Sequence, residues 1–357
     1  PRSTLFPYTT LFRSNGFVRA ECAGVVQPGP GRTQPACPHY GECGGCNLMH
    51  LSYSAQLEAK RGIVVDAWRR IGGIIDDEGQ PVFGTAGLGI TAVHPLGYRN
   101  RAQFHFDDMH RVGYSRRLSN TILPVTTCPI LAPALQAWLE AHARRGAWDK
   151  LQNHMHDRNR FVAFGWRDSV WLDGPDGDLG VEVGGHRFRF HIRGFFQSNL
   201  DVLEYLVPAV MEDAGGAGAA DLYCGVGLFG SFLVERFGKV TCVEQDQRSI
   251  AYAQANVGSK ARFQAASMED WTRSPQAREP YDYVVLDPPR SGLAAPVRDW
   301  LVNSKVPVVG YVSCDPVTLA RDAGHLVRAG YEIESARMFD FYPQTSHIEM
   351  YVRFRRV

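Results

Sequence analysis

Three side chains able to do covalent and acid–base chemistry fall at the ends of strand-like runs in the second half of the chain. Cys314 closes the apolar run that starts at Val306, and Asp315 and Pro316 follow it as a turn into a helix. Asp287 closes the run Tyr281 to Leu286 and opens Asp287-Pro-Pro-Arg290. Glu349 lies in His347-Ile-Glu349, in a third strand region. Open α/β sheets keep their chemistry at strand ends. A thiol nucleophile and two carboxylates are therefore expected to project from one domain, where such groups attack carbon and move protons.

A second constellation points to a ligand. Asp221-Leu-Tyr-Cys-Gly-Val-Gly-Leu-Phe-Gly230 runs from a strand into a helix. Glycines there let the backbone approach a ligand and open a helix N-terminus toward it. Glu244 ends the next strand, where a carboxylate can hold ribose hydroxyls. Together these indicate an adenosine cofactor. NAD fits the pattern, but an acidic strand end and a loop displaced past Tyr223 and Cys224 suit a ligand with an amino-acid end better than a pyrophosphate.

The third constellation is Cys37-x5-Cys43-x2-Cys46, with Gly44 and Gly45 between ligands. Three thiolates need a fourth ligand to close a zinc site or an iron–sulfur cluster. Cys128, His39 and His50 are candidates, and Cys128-Pro, which repeats Cys37-Pro, is the choice. Spacing alone leaves zinc and iron–sulfur open. Cys22 and Cys242 read as small buried residues.

The elements around these residues divide the chain. Residues 1–14 contain Thr4-Leu-Phe-Pro-Tyr-Thr-Thr-Leu-Phe-Arg-Ser14, which reads as a translated sequencing-library adapter and is set aside. Residues 15–27 alternate like one strand. Ser54 to Ile71 reads as a helix capped by Ser54, with Leu57, Val64, Trp68 and Ile71 on one face. Short strand-like runs separated by turns such as Asp173-Gly-Pro-Asp-Gly177 mark a β-rich central domain. Gly215 to Ala220 reads as a loop. Beyond it, strands at 220–224, 239–244, 261–265, 281–286, 306–313, 331–337 and 347–354 alternate with helices such as 249–256 and 316–329. That rhythm is an α/β fold with a mostly parallel seven-stranded sheet.

Composition narrows the class. With 45% hydrophobic and 21% charged residues the chain is globular. A net charge of +1 gives no global basic field to announce nucleic acid. No apolar run approaches the roughly 18 residues of a membrane span. With no secretion signal the reducing cytoplasm is the expected compartment, and eight cysteines there point to metal or catalysis before disulfides.

Several motifs in order carry a resemblance over nearly everything after about residue 15. They are Cys37-Pro-His-Tyr-Gly-Glu-Cys-Gly-Gly-Cys46, Tyr98-Arg-Asn-Arg101, Phe195-Phe-Gln-Ser-Asn199, Asp221-Leu-Tyr-Cys-Gly-Val-Gly227, Asp287-Pro-Pro-Arg-Ser-Gly292, Ser313-Cys-Asp-Pro316 and Thr345-Ser-His-Ile-Glu349. In these the chain resembles the RNA uracil-5-methyltransferases that make 5-methyluridine, and most closely the iron–sulfur members acting on 23S ribosomal RNA. The resemblance implies a class I S-adenosylmethionine-dependent methyltransferase domain at 194–357, behind a central domain at 31–193. It favours S-adenosylmethionine over NAD, and a [4Fe-4S] cluster on Cys37, Cys43, Cys46 and Cys128 over zinc. It makes Cys314 the nucleophile that adds to uracil C6, and Glu349 the base that takes the C5 proton. Asp287 then orients the base beside the cofactor. Gln197, Tyr223, Gly225, Gly227 and Asp287 would hold S-adenosylmethionine, with Glu244 on its ribose. Arg99, Arg101 and Arg290 would contact RNA, ribosomal rather than transfer. His347 reads as a packed or supporting residue, and a monomer with no membrane partner is expected.

The chain departs from the family pattern in three places. Asp315 stands where relatives commonly have Asn; it is expected to turn into the following helix as a cap. Met49 replaces a polar residue. Residues 15–30 look like a remnant of an N-terminal β-barrel RNA-binding domain, which implies a truncated chain. The rival readings are a transfer RNA uracil-5-methyltransferase, an RNA cytosine-5 methyltransferase, and an inactive iron–sulfur RNA-binding module.

Overall fold

The computed structural model describes residues 9–14, 17–22, 24–143, 151, 159–174 and 177–357. Residues 1–8 of the segment set aside, and 175–176 of the predicted turn, lie outside the described residues. Thr9–Ser14 (β1) pairs antiparallel with Phe17–Cys22 (β2). The strand read at 15–27 is therefore shorter than expected and takes its partner from the segment set aside.

Helix α1 spans Tyr53–Ala67, and its cap is Ser52 rather than Ser54: the Ser52 hydroxyl accepts from the Ala55 amide at 3.4 Å. Val64 and Trp68 are fully buried, but Ile71 is 51% exposed. The helix continues as a π turn over Trp68–Gly72, and the extra residue in that turn swings Ile71 off the shared face. Gly73, at φ +62°, ends it in the left-handed conformation.

After Leu88–Thr91 (β3) come Arg101–Phe106 (β4), Val112–Ser115 (β5), Ile122–Pro124 (β6), helix Pro133–His142 (α2), Arg160–Trp166 (β7) and Ser169–Leu172 (β8). Strands β4 to β8 form an antiparallel five-stranded sheet in the order β6-β5-β4-β7-β8. One face of β4 is buried through Ala102, Phe104 and Phe106, which pack with Phe161 and with Leu135 and Leu139 of α2. This is the expected β-rich region. The hairpin Asp178–Val183 (β9) and His186–His191 (β10) sends Val181, Phe188 and Phe190 into the core of the following α/β region.

That region contains Leu200–Met211 (α3), Gly216–Leu222 (β11), Leu228–Leu233 (α4), Phe237–Glu244 (β12), Gln247–Val257 (α5), Ala261–Ala265 (β13), Met268–Trp271 (α6), Tyr283–Leu286 (β14), Ala295–Ser304 (α7), Val308–Ser313 (β15), Pro316–Arg328 (α8), Tyr331–Phe339 (β16) and Glu349–Arg356 (β17). The sheet runs β13-β12-β11-β14-β15-β17-β16-β3. All seven expected strands form, but the sheet has eight: β3 pairs parallel with β16 and covers an edge that would otherwise expose unpaired backbone groups. Separate apolar cores fill the two faces.

The loop read at 215–220 is also corrected, because β11 starts at Gly216. Its glycines and alanines reflect crowding rather than a turn: a Cβ on Gly218 would lie 2.8 Å from the Pro280 carbonyl. The Asp282 carboxylate accepts from the Ala217 and Gly218 amides at 2.6 and 3.0 Å, which completes the strand start. Among the described residues no helix is long and apolar enough to cross a membrane.

Candidate active site

Strand register assembles the chemistry. β15 and β17 run antiparallel with Ser313 opposite Met350. Cys314, one residue past Ser313, and Glu349, one before Met350, thus leave the sheet at the same rim. Leu286 pairs with both Tyr311 and Leu222, so Asp287 leaves β14 between Cys314 and the loop after β11. The order of the sheet reverses between β11 and β14, where α/β sheets open a crevice.

A cleft of about 900 Å³ lies over this rim. It is lined by Cys314, Glu349, Asp287, Gln197, Tyr223, Gly225, Glu244, Arg99 and Arg290, all singled out in the sequence. Gly227 and Arg101 are not part of this lining. Gly227 caps α4 at φ +85°, and a Cβ there would meet Val257 Cγ2 at 2.7 Å, so its part is to shape the loop. Arg101 Nε donates to the Ile192 carbonyl at 3.4 Å and braces β4.

Burial dominates the electrostatics. It pushes the half-buried Cys314 thiol up to about 11, helped by the charges of Glu349 and Asp287 and opposed by Arg290. Burial raises Asp287 to about 7. Glu349 is held well above the ordinary carboxylate range by burial and then by Asp287, again opposed by Arg290. Both shifts favour the protonated thiol and the protonated Glu349 carboxyl, and Arg290 is the cation that favours their anions. Arg290 is itself held: its carbonyl accepts from Thr318 Oγ1 at 3.1 Å, and its Nη2 meets His347 Nδ1 at 3.2 Å. Burial and Arg290 lower His347, so the ring is neutral and accepts from the guanidinium; His347 itself also lines the cleft. Asp315 does turn away from the thiol. Its Oδ1 accepts from the Val317 and Thr318 amides at 2.9 and 3.0 Å and caps α8.

Arg290→Gln should accordingly raise both the thiol and the Glu349 carboxyl further. For a reaction that needs both anions, the rising acid limb of kcat/KM should move to higher pH and activity at neutral pH should fall. A pH profile measured on the variant checks this; an unmoved limb would show that Arg290 does not set these ionisations.

The other end of the cleft is built for a polar ligand. Gly225 stands at φ +53° with nothing within 4 Å of where a Cβ would be. Its amide donates to Glu244 Oε2 at 3.1 Å, while Glu244 Oε1 accepts from the Asp246 amide at 2.9 Å, which fixes the carboxylate at the wall. Gln197 is 6% exposed and its Oε1 has no partner among protein atoms, so an acceptor is left for a ligand. Asp221 anchors the loop from below by accepting from the Gly230 amide at 2.7 Å. A second cavity of about 330 Å³ shares Tyr223, Glu244, Gln245 and Pro289 with the cleft and adds the apolar walls Met268, Leu293 and Ala294. Asp322 holds that far wall by accepting from the Leu293 amide at 2.8 Å and from Tyr311 at 2.9 Å. These residues fit an adenosine with an amino-acid tail: an apolar slot, a carboxylate for hydroxyls, and a buried amide.

The structure also gathers the four cysteines. Cys37, Cys46 and Cys128 pack around Met49, Tyr98 and Ile130, and Cys43 and Cys128 border the core of the five-stranded sheet. The cysteines are free thiols. Burial, then the neighbouring cysteines, pushes Cys46 up to about 12. Burial, then Cys37 and Cys43, raises Cys128 to about 11. Both shifts favour the protonated thiols, and a soft cation among them would favour the thiolates instead. Among the described residues, no group of three or more His, Cys, Asp or Glu could hold a metal ion. Met49, 3% exposed, fills the space beneath the thiols, where a polar side chain would be buried.

Several lining residues were not found in the sequence. Phe195 borders the cleft although 69% exposed; its place beside Gln197 in the Phe-Phe-Gln motif was the available signal. Arg193 lines the cleft and pairs with the buried Asp173 at 3.3 Å. Tyr342 reaches it from the β16–β17 loop, which no local pattern announces.

A parallel sheet reversing beside a glycine loop, with a carboxylate closing the next strand, defines a class I S-adenosylmethionine-dependent methyltransferase fold. The solved Pyrococcus abyssi tRNA (uracil-54, C5)-methyltransferase in complex with S-adenosyl-L-homocysteine shares it, with a TM-score of 0.72 and 22% identity over 97% of this chain and 92% of its own. Residues 191–298 match the methyltransferase small domain, and residues 277–357 match the tRNA (Uracil-5-)-methyltransferase family. A 23S rRNA (uracil(1939)-C(5))-methyltransferase of Nitrosococcus oceani is 30% identical, with 97% of this chain and 88% of that protein covered. Its counterpart in Halomonas elongata is 32% identical, with 94% and 80% covered. This chain belongs to the RNA uracil-5-methyltransferase family.

Proposed function

We propose that the protein methylates C5 of a uridine in 23S ribosomal RNA through a covalent adduct on Cys314. The observation that carries this is Cys314 facing Glu349 across β15 and β17, beside Asp287, in a cleft that shares Tyr223, Glu244, Gln245 and Pro289 with the neighbouring cavity. Bound S-adenosylmethionine supplies an electrophilic methyl group. The Cys314 thiolate forms a bond to uracil C6, and the C5–C6 π pair becomes an enolate whose C5 takes the methyl as the methyl–sulfur bond breaks and S-adenosylhomocysteine is left as the neutral thioether. Glu349 removes the C5 proton; the C5–C6 double bond returns as the C6–sulfur bond breaks and Cys314 leaves. Asp287, raised toward neutrality by burial, hydrogen-bonds the uracil edge. A stacked uridine cannot reach the buried rim, so the base enters flipped out or unpaired. Exposed Phe195 offers a stacking face at the mouth, and Arg99, Arg193 and Arg290 offer phosphate contacts.

The relatives named as 23S rRNA methyltransferases support ribosomal over transfer RNA. Mapping modified uridines in RNA from cells with and without the gene tests this. Loss of one ribosomal 5-methyluridine is expected; loss of 5-methylcytidine, or of a transfer RNA site alone, would overturn it.

Cys37, Cys43, Cys46 and Cys128 are proposed to hold a [4Fe-4S] cluster. Its support is the resemblance and the gathering of four thiols in one place. Anaerobically purified protein should contain iron and sulfide and show visible absorption that bleaches on reduction. Stoichiometric zinc without iron would refute the assignment.

A further inference from the structure

The loop between β16 and β17, which leads into Glu349, is held from outside the cleft by the segment that follows Cys46. The amides of Asn47 and Leu48 both donate to the Gln344 carbonyl at 3.0 Å. Asn47 Oδ1 accepts from the Ser346 amide at 2.8 Å, and Asn47 Nδ2 donates to Ser346 Oγ at 2.9 Å. From the other side, Gln56 of α1 exchanges two bonds with Gln344: the Gln344 amide donates to Gln56 Oε1, and Gln56 Nε2 donates to Gln344 Oε1, each at 2.9 Å. The Tyr98 hydroxyl donates to the Pro343 carbonyl at 2.9 Å.

These bonds hold an unfavourable backbone. Gln344 sits at φ +69°, in the left-handed region that a glutamine rarely adopts. Such a residue persists where its surroundings over-determine it, and it marks a place where position matters. Only His347 and the buried Ile348 separate Ser346 from Glu349, so pinning Ser346 fixes how far the Glu349 carboxyl reaches. Asn47 and Gln344 do not line the cleft themselves.

We propose that Asn47 is a positioning residue for Glu349, setting the base for the step after methyl transfer; this rests on the reading of Glu349 as that base. Asparagine suits the place because one side chain supplies both an acceptor for an amide and a donor for a hydroxyl. Aspartate keeps the acceptor and can take the serine hydroxyl's proton as a donor to itself, so it should substitute; alanine cannot. Asn47 is exposed, so its replacement leaves the core untouched.

The test follows the methylated protein–RNA adduct, which accumulates when proton removal is slowed, alongside released 5-methyluridine. Full-length wild type, N47A, N47D and E349Q are mixed with the RNA substrate and S-adenosylmethionine, then denatured. N47A should accumulate adduct and lose about 10- to 100-fold in kcat, with KM for S-adenosylmethionine unchanged and N47D restored toward wild type. E349Q is the control for the underlying reading: if it forms no adduct, Glu349 is not the base, whatever Asn47 does. If E349Q traps adduct while N47A turns over like wild type, or loses activity with raised KM and no adduct, the positioning role is overturned. Should N47A not fold, Ser346→Ala, which removes the hydroxyl that Asn47 Nδ2 reaches and leaves Asn47 in place, decides instead. Adduct accumulation supports the clamp, and wild-type turnover refutes it.

Discussion

Cys314→Ala should abolish methyl transfer, by about 10⁴-fold or more, and abolish any denaturant-stable bond between protein and RNA. The reason lies in uracil, whose C5 is too poor a nucleophile to attack a methyl sulfonium until a group adds at C6. Among the described residues no other thiol lines the rim beside Asp287 and Glu349; Cys224 borders the cleft from the glycine loop and is 6% exposed. The loss should not come from misfolding, because Cys314 lies past the end of β15 and the helix after it is capped by Asp315. Transfer of labelled methyl to RNA, read together with cofactor binding, separates the two. A C314A protein that binds S-adenosylmethionine and still methylates uridine would end the covalent mechanism.

Glu349→Gln should act later and differently. The amide keeps the size of the side chain and removes the base. Turnover should fall by about 10²- to 10⁴-fold, with the methyl group already on C5 and the RNA still bonded to Cys314. In the wild type, burial and Asp287 hold the carboxyl well above the ordinary carboxylate range. Turnover therefore depends on ionising it, and glutamine should remove that limb from the pH profile. The diagnostic pairing is one methyl per trapped RNA. An E349Q protein that traps unmethylated RNA would place Glu349 before methyl transfer instead.

Much of this site was legible because its reactive residues sit at breaks between long apolar runs and turn-forming residues. Asp287, Cys314 and Glu349 each mark such a break, and a parallel sheet must bring them to one rim. The loop after β11 was legible too, but the two glycines in it were not distinguishable. Gly225 faces open space while Gly227 meets Val257, a contact made across the fold. Short or glycine-rich strands were the failures. β3 is four residues long with a glycine inside, and β11 begins in small residues chosen for close packing rather than for flexibility. The π turn that exposes Ile71 leaves no trace in an apolar spacing that assumes a regular helix. The clamp on Gln344 joins residues nearly three hundred positions apart and has no local signature.

The place of β17 in the sheet has a consequence for biosynthesis. It is made after β15 and β16 but lies between them, so the sheet cannot grow edgewise in the order of synthesis. A nascent chain that has reached β16 carries Cys314 but neither Glu349 nor the strand that closes the rim. Insertion of β17 brings Cys314 and Glu349 to one rim in a single event.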